Sequence, residues 1–95
     1  MLRGGFASWF TPHRVDDLLL HELADATLYG LQLRDRLEAR AGLDLTGLIY
    51  VHLHRLERSG LVTSWEEPGG PERGGLPRRV YRITAAGRDR VGSGP

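Results

Sequence analysis

Up to Gly60 the apolar residues of this chain recur at helical spacing, and beyond it the period shortens to two. Thr11-Pro12 reads as a helix start, with Thr as N-cap and Pro at the first helical position, where its missing N–H costs nothing. Val15, Leu18, Leu19 and Leu23 follow at i, i+3, i+4 and i+8, the apolar stripe of an amphipathic helix that reaches about Ala24. Asp25-Ala26-Thr27 supplies a break and a cap. Leu28, Leu33, Leu37 and Ala41 then mark a second helix that Gly42 ends, with Gly30 in its first turn leaving room for close packing. Asp44-Leu45-Thr46 predicts the cap of a third helix, whose buried stripe is Ile49, Leu53 and Leu56 and whose stop is Gly60.

Leu61-Val62-Thr63-Ser64-Trp65 and Arg79-Val80-Tyr81-Arg82-Ile83 read as short strands, rich in β-branched and aromatic residues. The breaker-rich segment Pro68-Gly69-Gly70-Pro71-Glu72-Arg73-Gly74-Gly75 joins them as the tip of an antiparallel hairpin. Thr84 offers an N-cap for a short last helix, Ala85 to Val91, and residues 92–95 read as a flexible tail. Three helices, a two-stranded hairpin and a short C-terminal helix define an α+β fold in the order of a winged helix-turn-helix. The expected organisation is an N-terminal arm at 1–11, a winged-helix domain at 12–91 and the tail.

Length and composition agree with one domain. Ninety-five residues hold one core. The formal charge of +1 names no partner by itself, but it hides a gradient. Residues 1–44 carry five Arg and seven acids (−2), whereas residues 45–95 carry eight Arg and five acids (+3). Between Arg73 and Arg90 there are six Arg and a single acid, Asp89. A polyanion would therefore meet the second half of the chain. Every cation is Arg, and the chain has neither Lys nor Asn; a GC-rich coding sequence accounts for both absences. Each cation is nonetheless a planar fork suited to phosphates and base edges.

Other chemistry finds little support. Without cysteine there is no disulfide, thiolate zinc site or thiol nucleophile. His52 and His54 are two apart on a helix and point about 200° apart, so they cannot share a metal. No Ser sits in a nucleophile elbow, and the glycines of 69–75 lack the strand-loop-helix setting of a phosphate cradle. The longest apolar run, Leu18-Leu19-Leu20, is far short of a membrane span, and the first ten residues lack the apolar stretch of a signal peptide. The expectation is a cytoplasmic protein that is not an enzyme and takes no cofactor and no metal.

Three stretches carry a family resemblance. Leu18 through Glu38, Gly47 through Val62, and Gly75-Leu76-Pro77-Arg78-Arg79-Val80-Tyr81-Arg82-Ile83-Thr84-Ala85-Ala86-Gly87 resemble the PadR-like transcriptional regulators of bacteria, the last through its wing strand and its Thr-x-x-Gly helix opening. The resemblance covers roughly residues 18–91 and implies a homodimeric DNA-binding regulator, a repressor, that reads a palindromic double-stranded operator with its third helix and wing. The residues implied are Thr46, Tyr50, His54, Arg55 and Arg58 on the helix side and Arg73, Arg78 and Arg79 in the wing. Plainer readings stand beside them. Tyr50 would be half core, Arg55 and Arg58 would pair with Glu57, Asp35 or Glu38, and Arg78 with Arg82 would protect a sheet edge.

The chain departs from the family pattern at two places. Leu45, Leu48 and Val51 stand where members commonly have Ser, Thr or Pro, which opens an alternative: a winged-helix protein-interaction module without operator binding. The C-terminal dimerisation helix that the resemblance implies is not expected in the four residues after Val91. Dimer contact is then expected from Phe6, Trp9 and Phe10, residues that could equally line a site for a small aromatic effector.

Overall fold

The computed structural model describes residues 12–92. Helix α1 (Pro12–Asp25) leads to a two-residue strand β1 (Leu28–Tyr29), then to α2 (Gly30–Ala41) and α3 (Ile49–Arg58). Strands β2 (Val62–Glu67) and β3 (Arg78–Ile83) flank a 3-10 turn at Pro71–Arg73, and α4 (Ala85–Gly92) follows. Thr11, Phe6, Trp9 and Phe10 lie outside the described residues.

On α1, Val15, Leu19 and Leu23 are buried as the stripe predicts, but Leu20 is buried as completely as Leu19, and Leu18 only partly. The cause is that α1 packs against α2, α3, α4 and β3, so more than one stripe leaves water. Leu28 does not begin a helix. Tyr29 keeps an extended backbone (φ −75°, ψ 156°), and its N–H donates to Gln32 Oε1 at 2.8 Å, so α2 starts at Gly30. The extended pair instead joins the sheet, Leu28 opposite Tyr81 and Tyr29 opposite Val80. The sheet is therefore three-stranded, in the order β1-β3-β2, rather than a lone hairpin. Its edges are β1 and β2, and the two residues of β1 cover β3 only at Val80 and Tyr81, so Arg78 and Arg82 lie beyond that pairing on the β1 side.

The third helix also starts later than its cap signal predicts. Asp44 Oδ1 accepts the Thr46 N–H at 3.1 Å, and this bond holds its carboxyl below the usual carboxylate range. It closes a turn over Thr46–Leu48, where Leu45 O receives the N–H groups of Leu48 and Ile49. Leu45 is accordingly a core residue, 6% exposed, and not part of an apolar helix tip. The end of α3 matches expectation. Gly60, at φ 78°, sends its N–H to Glu57 O while Leu61 N–H bonds to Leu56 O, the paired bonds of a Schellman cap.

Both wing strands run longer than predicted, in a register from Val62 opposite Ile83 to Glu67 opposite Arg78. Val62, Tyr81 and Ile83 join Leu19, Leu33, Leu37, Ile49, Leu53 and Leu56 in one core. Thr84 locks the corner between wing and helices. Its hydroxyl donates to Gly60 O at 2.7 Å and accepts from the Gly87 N–H at 3.1 Å, and its own N–H donates to Leu61 O. Gly87 is buried there, where a side chain would run into the Leu61 carbonyl oxygen and come within 2.6 Å of Ile83 Cγ1.

Gly87→Ala is therefore expected to destabilise the fold. Overpacking against a backbone oxygen costs about 1–3 kcal/mol, more than the roughly 0.5–1 kcal/mol that Ala gains over Gly in a helix. A thermal melt should register a drop of about 4–8 °C for each kcal/mol of net loss. Gly92→Ala, with nothing within 4 Å, is the control and should leave the midpoint unchanged or raised.

Candidate nucleic-acid interface

Burial of Ile49, Leu53 and Leu56 turns the opposite side of α3 to solvent, and Tyr50, Val51, His54 and Arg58 are exposed along it, with Thr46 and Gly47 in the preceding turn. Val51, His54, Arg55, Arg58 and Ser59 border a shallow depression at its C-terminal half. Among the described residues, His54 and Arg58 form no ion pair. Tyr50 is 47% exposed, and its ring lies against Gly30 at the start of α2. A Cβ at Gly30 would come within 2.6 Å of Tyr50 Cε1, so the glycine makes that seat possible.

Tyr50 also faces the wing. It lines a cleft of about 310 Å³ together with Tyr29, Gly30, Leu31 and Gln32 at the start of α2 and Arg73, Pro77, Arg78 and Arg79 of the wing. Three of the arginines predicted from sequence thus meet at one opening, beside one of the predicted hydroxyls. None of the three is wholly unengaged. Arg79 donates to Ser64 Oγ at 2.9 Å and lies 3.5 Å from Glu66, and Ser64 in turn donates to Glu57 at 2.8 Å. Arg73 Nε donates to Leu76 O at 3.3 Å. Arg78 stacks over the Tyr29 ring, 4.4 Å from its centroid, with Glu72 at 3.6 Å, while its Nε is buried and has no hydrogen-bond partner. Glu66 and Glu72 are well exposed, and ion pairs of that kind are worth about 0–1 kcal/mol. An incoming phosphate can replace them at little cost.

Arg55 belongs elsewhere. Its Nη2 donates to Asp16 Oδ1 of α1 at 2.7 Å and contacts His52 Nδ1 at 2.9 Å. None of the acids predicted as its partner, Glu57, Asp35 or Glu38, holds it. Asp16 is 5% exposed and lies 3.7 Å from His52, so a buried carboxylate is flanked by a cation and an imidazole. Burial pushes the His52 imidazole below its ordinary value, the Arg55 charge adds to this, and Asp16 opposes it. A neutral ring is the state that can accept from Arg55. Asp16 and Tyr29 were not among the residues predicted from sequence. For Asp16 a signal existed, since it precedes the apolar Leu19 and Leu20 by three and four positions and so sits on the buried side of α1.

Among the described residues no group of three or more His, Cys, Asp or Glu could hold a metal ion, and no helix is long and apolar enough to cross a membrane. A helix pair whose second member projects an exposed face, followed by a β-hairpin beside it, makes the domain a winged helix-turn-helix. Residues 19–93 match the transcriptional regulator PadR-like family. The chain belongs to that family.

Transcriptional regulator Rv3488 of Mycobacterium tuberculosis is 39% identical over 70 residues, 74% of this chain, and the match spans 62% of that relative's length. The crystal structure of a transcriptional regulator of Thermoplasma acidophilum, TA0346, aligns with a TM-score of 0.77 at 26% identity, covering 84% of this chain and 75% of that one. Bacillus subtilis PadR, solved in complex with operator DNA, shares the fold at a TM-score of 0.70 and 20% identity, covering 81% of this chain and 44% of its own. The family is one of transcriptional regulators rather than enzymes.

The Asp16–Arg55 pair is expected to respond unequally to its two deletions. Arg55→Ala leaves a buried carboxylate without its cation, a loss of about 3–5 kcal/mol. Asp16→Ala frees an arginine whose side chain is already 41% exposed and can turn to water, so about 1–3 kcal/mol is lost. Urea unfolding of the two variants measures the difference, and equal losses would contradict this assignment.

Proposed function

We propose that this chain binds double-stranded DNA, with the exposed face of α3 in the major groove and the wing along the phosphate backbone, and that it does so as a homodimeric repressor on a palindromic operator in the bacterial cytoplasm. The observation that carries the reading is the shared cleft, in which Tyr50 of α3 and Arg73, Arg78 and Arg79 of the wing converge on one opening. Contacts to phosphate from two elements fix a protein's register on a duplex, while side chains on the helix between them meet base edges. His54 and Arg58 continue the surface along α3, and Thr46 adds a hydroxyl beside it. Arg55 keeps a structural task on Asp16 and is left out of the contact set. Family membership supports the reading, as does the operator complex of the Bacillus subtilis neighbour.

The dimer is assigned to the N-terminal arm, where Phe6, Trp9 and Phe10 supply apolar surface, and a small aromatic effector between those rings forms part of the same proposal. Two α3 helices about 34 Å apart would then enter successive major grooves. A second reading, a protein-interaction module without operator binding, draws on the exposed Leu48 and Val51.

Fluorescence anisotropy with DNA from upstream of the chain's own gene, titrated between 50 and 200 mM salt, separates the readings. Tight binding with a steep salt dependence and two chains per duplex is expected. Arg78→Ala combined with Arg79→Ala should weaken it and flatten the log–log slope by about 0.9 for each phosphate no longer neutralised. Absence of binding even at low salt would leave the interaction-module reading.

A further inference from the structure

The start of α3 is apolar where a DNA-reading helix ordinarily carries polar groups. Leu48 is 53% exposed and Val51 57% exposed, three positions apart, joined by the bond from Val51 N–H to Leu48 O at 3.1 Å. They share the solvent side with His54 and Arg58, opposite the buried Ile49, Leu53 and Leu56. In helix-turn-helix docking, the N-terminal residues of the second helix are the ones that contact base edges. Bidentate recognition there requires Arg or Lys for guanine and Asn or Gln for adenine. The chain has no Lys or Asn, its one Gln is Gln32 on α2, and the first turn of α3 holds no Arg. Of the polar residues of that turn, Tyr50 has its ring against Gly30 and borders the cleft toward the wing, and His52 is turned inward, its Nδ1 on Arg55 and 3.7 Å from Asp16.

Of the groups that base pairs display in the major groove, the thymine C5-methyl is the one apolar feature. We propose that Leu48 and Val51 read thymine methyl groups, so that this chain selects A·T pairs at the centre of each half-site by apolar contact while Arg58, His54 and the wing arginines hold the duplex. The inference rests on the DNA-binding reading above and gives it a specificity. The surrounding charge favours this occupant over a protein partner. The apolar pair is bordered along α3 by His54 and Arg58 and lies in the half of the chain whose balance is +3, a setting complementary to a polyanion.

The test uses the full chain and a duplex that it selects from a random library, resynthesised with each thymine of one half-site replaced in turn by deoxyuridine. This removes one methyl and leaves base pairing unchanged. At one or two positions the affinity is expected to fall about fourfold, the worth of one buried carbon. The Leu48→Ala, Val51→Ala double variant, altered only at exposed positions, should bind the thymine duplex more weakly and lose that difference. Equal binding of all thymine and deoxyuridine duplexes by the unaltered chain would overturn the inference while leaving DNA binding intact, as would a penalty that persists undiminished in the double variant. If no duplex is selected at all, the DNA-binding reading itself fails.

Discussion

Strand β3 is hydrogen-bonded on both sides, and the geometry of the interface follows from that pairing. On one side it carries β2 and with it the wing; on the other it holds Leu28 and Tyr29, the two residues that lead directly into α2. The wing and the two residues that lead into the helix pair are thus parts of one sheet, and their separation is fixed by backbone hydrogen bonds rather than by a flexible linker. Tyr29, Val80 and Trp65 lie across the three strands as direct neighbours, and a buried Val80 sits between the two rings. The Tyr29 hydroxyl and the Trp65 indole both donate to the Glu67 carboxylate, at 3.2 and 3.3 Å. Arg78, two positions along β3 from Val80, stacks on the Tyr29 ring. The cleft that joins the wing to α3 is therefore a product of the sheet, with Tyr50 seated over Gly30 as its other wall.

The arginines divide by what surrounds them. Arg55 and Arg58 are three positions apart on α3 and border the same depression, yet the first also meets the buried Asp16 and ties α3 to α1, while the second forms no ion pair among the described residues. The pair inside orients the helix; the charge outside is available to a ligand. In the wing, exposed and therefore weak ion pairs to Glu66 and Glu72 hold Arg79 and Arg78 beside the cleft without committing them. A face so arranged has its cations in place in advance, which would lower the ordering cost of binding a polyanion.

Much of this was legible in the chain. The four-and-three spacing of Ile49, Leu53 and Leu56, the stop at Gly60 and the change of period beyond it predicted α3 and the wing, because burial on one side of a regular element imposes its repeat on the sequence. Thr84 and Gly87 were legible as a motif, and the structure supplies its physics: a hydroxyl bonded at both ends of a corner and a glycine pressed on a carbonyl. What escaped detection lacked a repeat. A strand of two residues has no period, so Leu28 looked like the first apolar position of α2. Leu45 lies in a turn, where its burial depends on the core it folds onto rather than on spacing. The partner of Arg55 is 39 residues away, and no local pattern encodes a contact between helices at that distance.

The most direct test of the central claim, that the α3 face and the wing act as one DNA-binding surface, is a titration of the uniformly ¹⁵N-labelled chain with duplex DNA followed by amide chemical shifts. The expected result is concerted change at Tyr50, Val51, His54 and Arg58 and at residues 73–79, with the same saturation point, while exposed residues away from that surface such as His21 and Asp35 stay put. Shifts confined to one of the two elements, or centred on the outer side of α1 and α2, would contradict it.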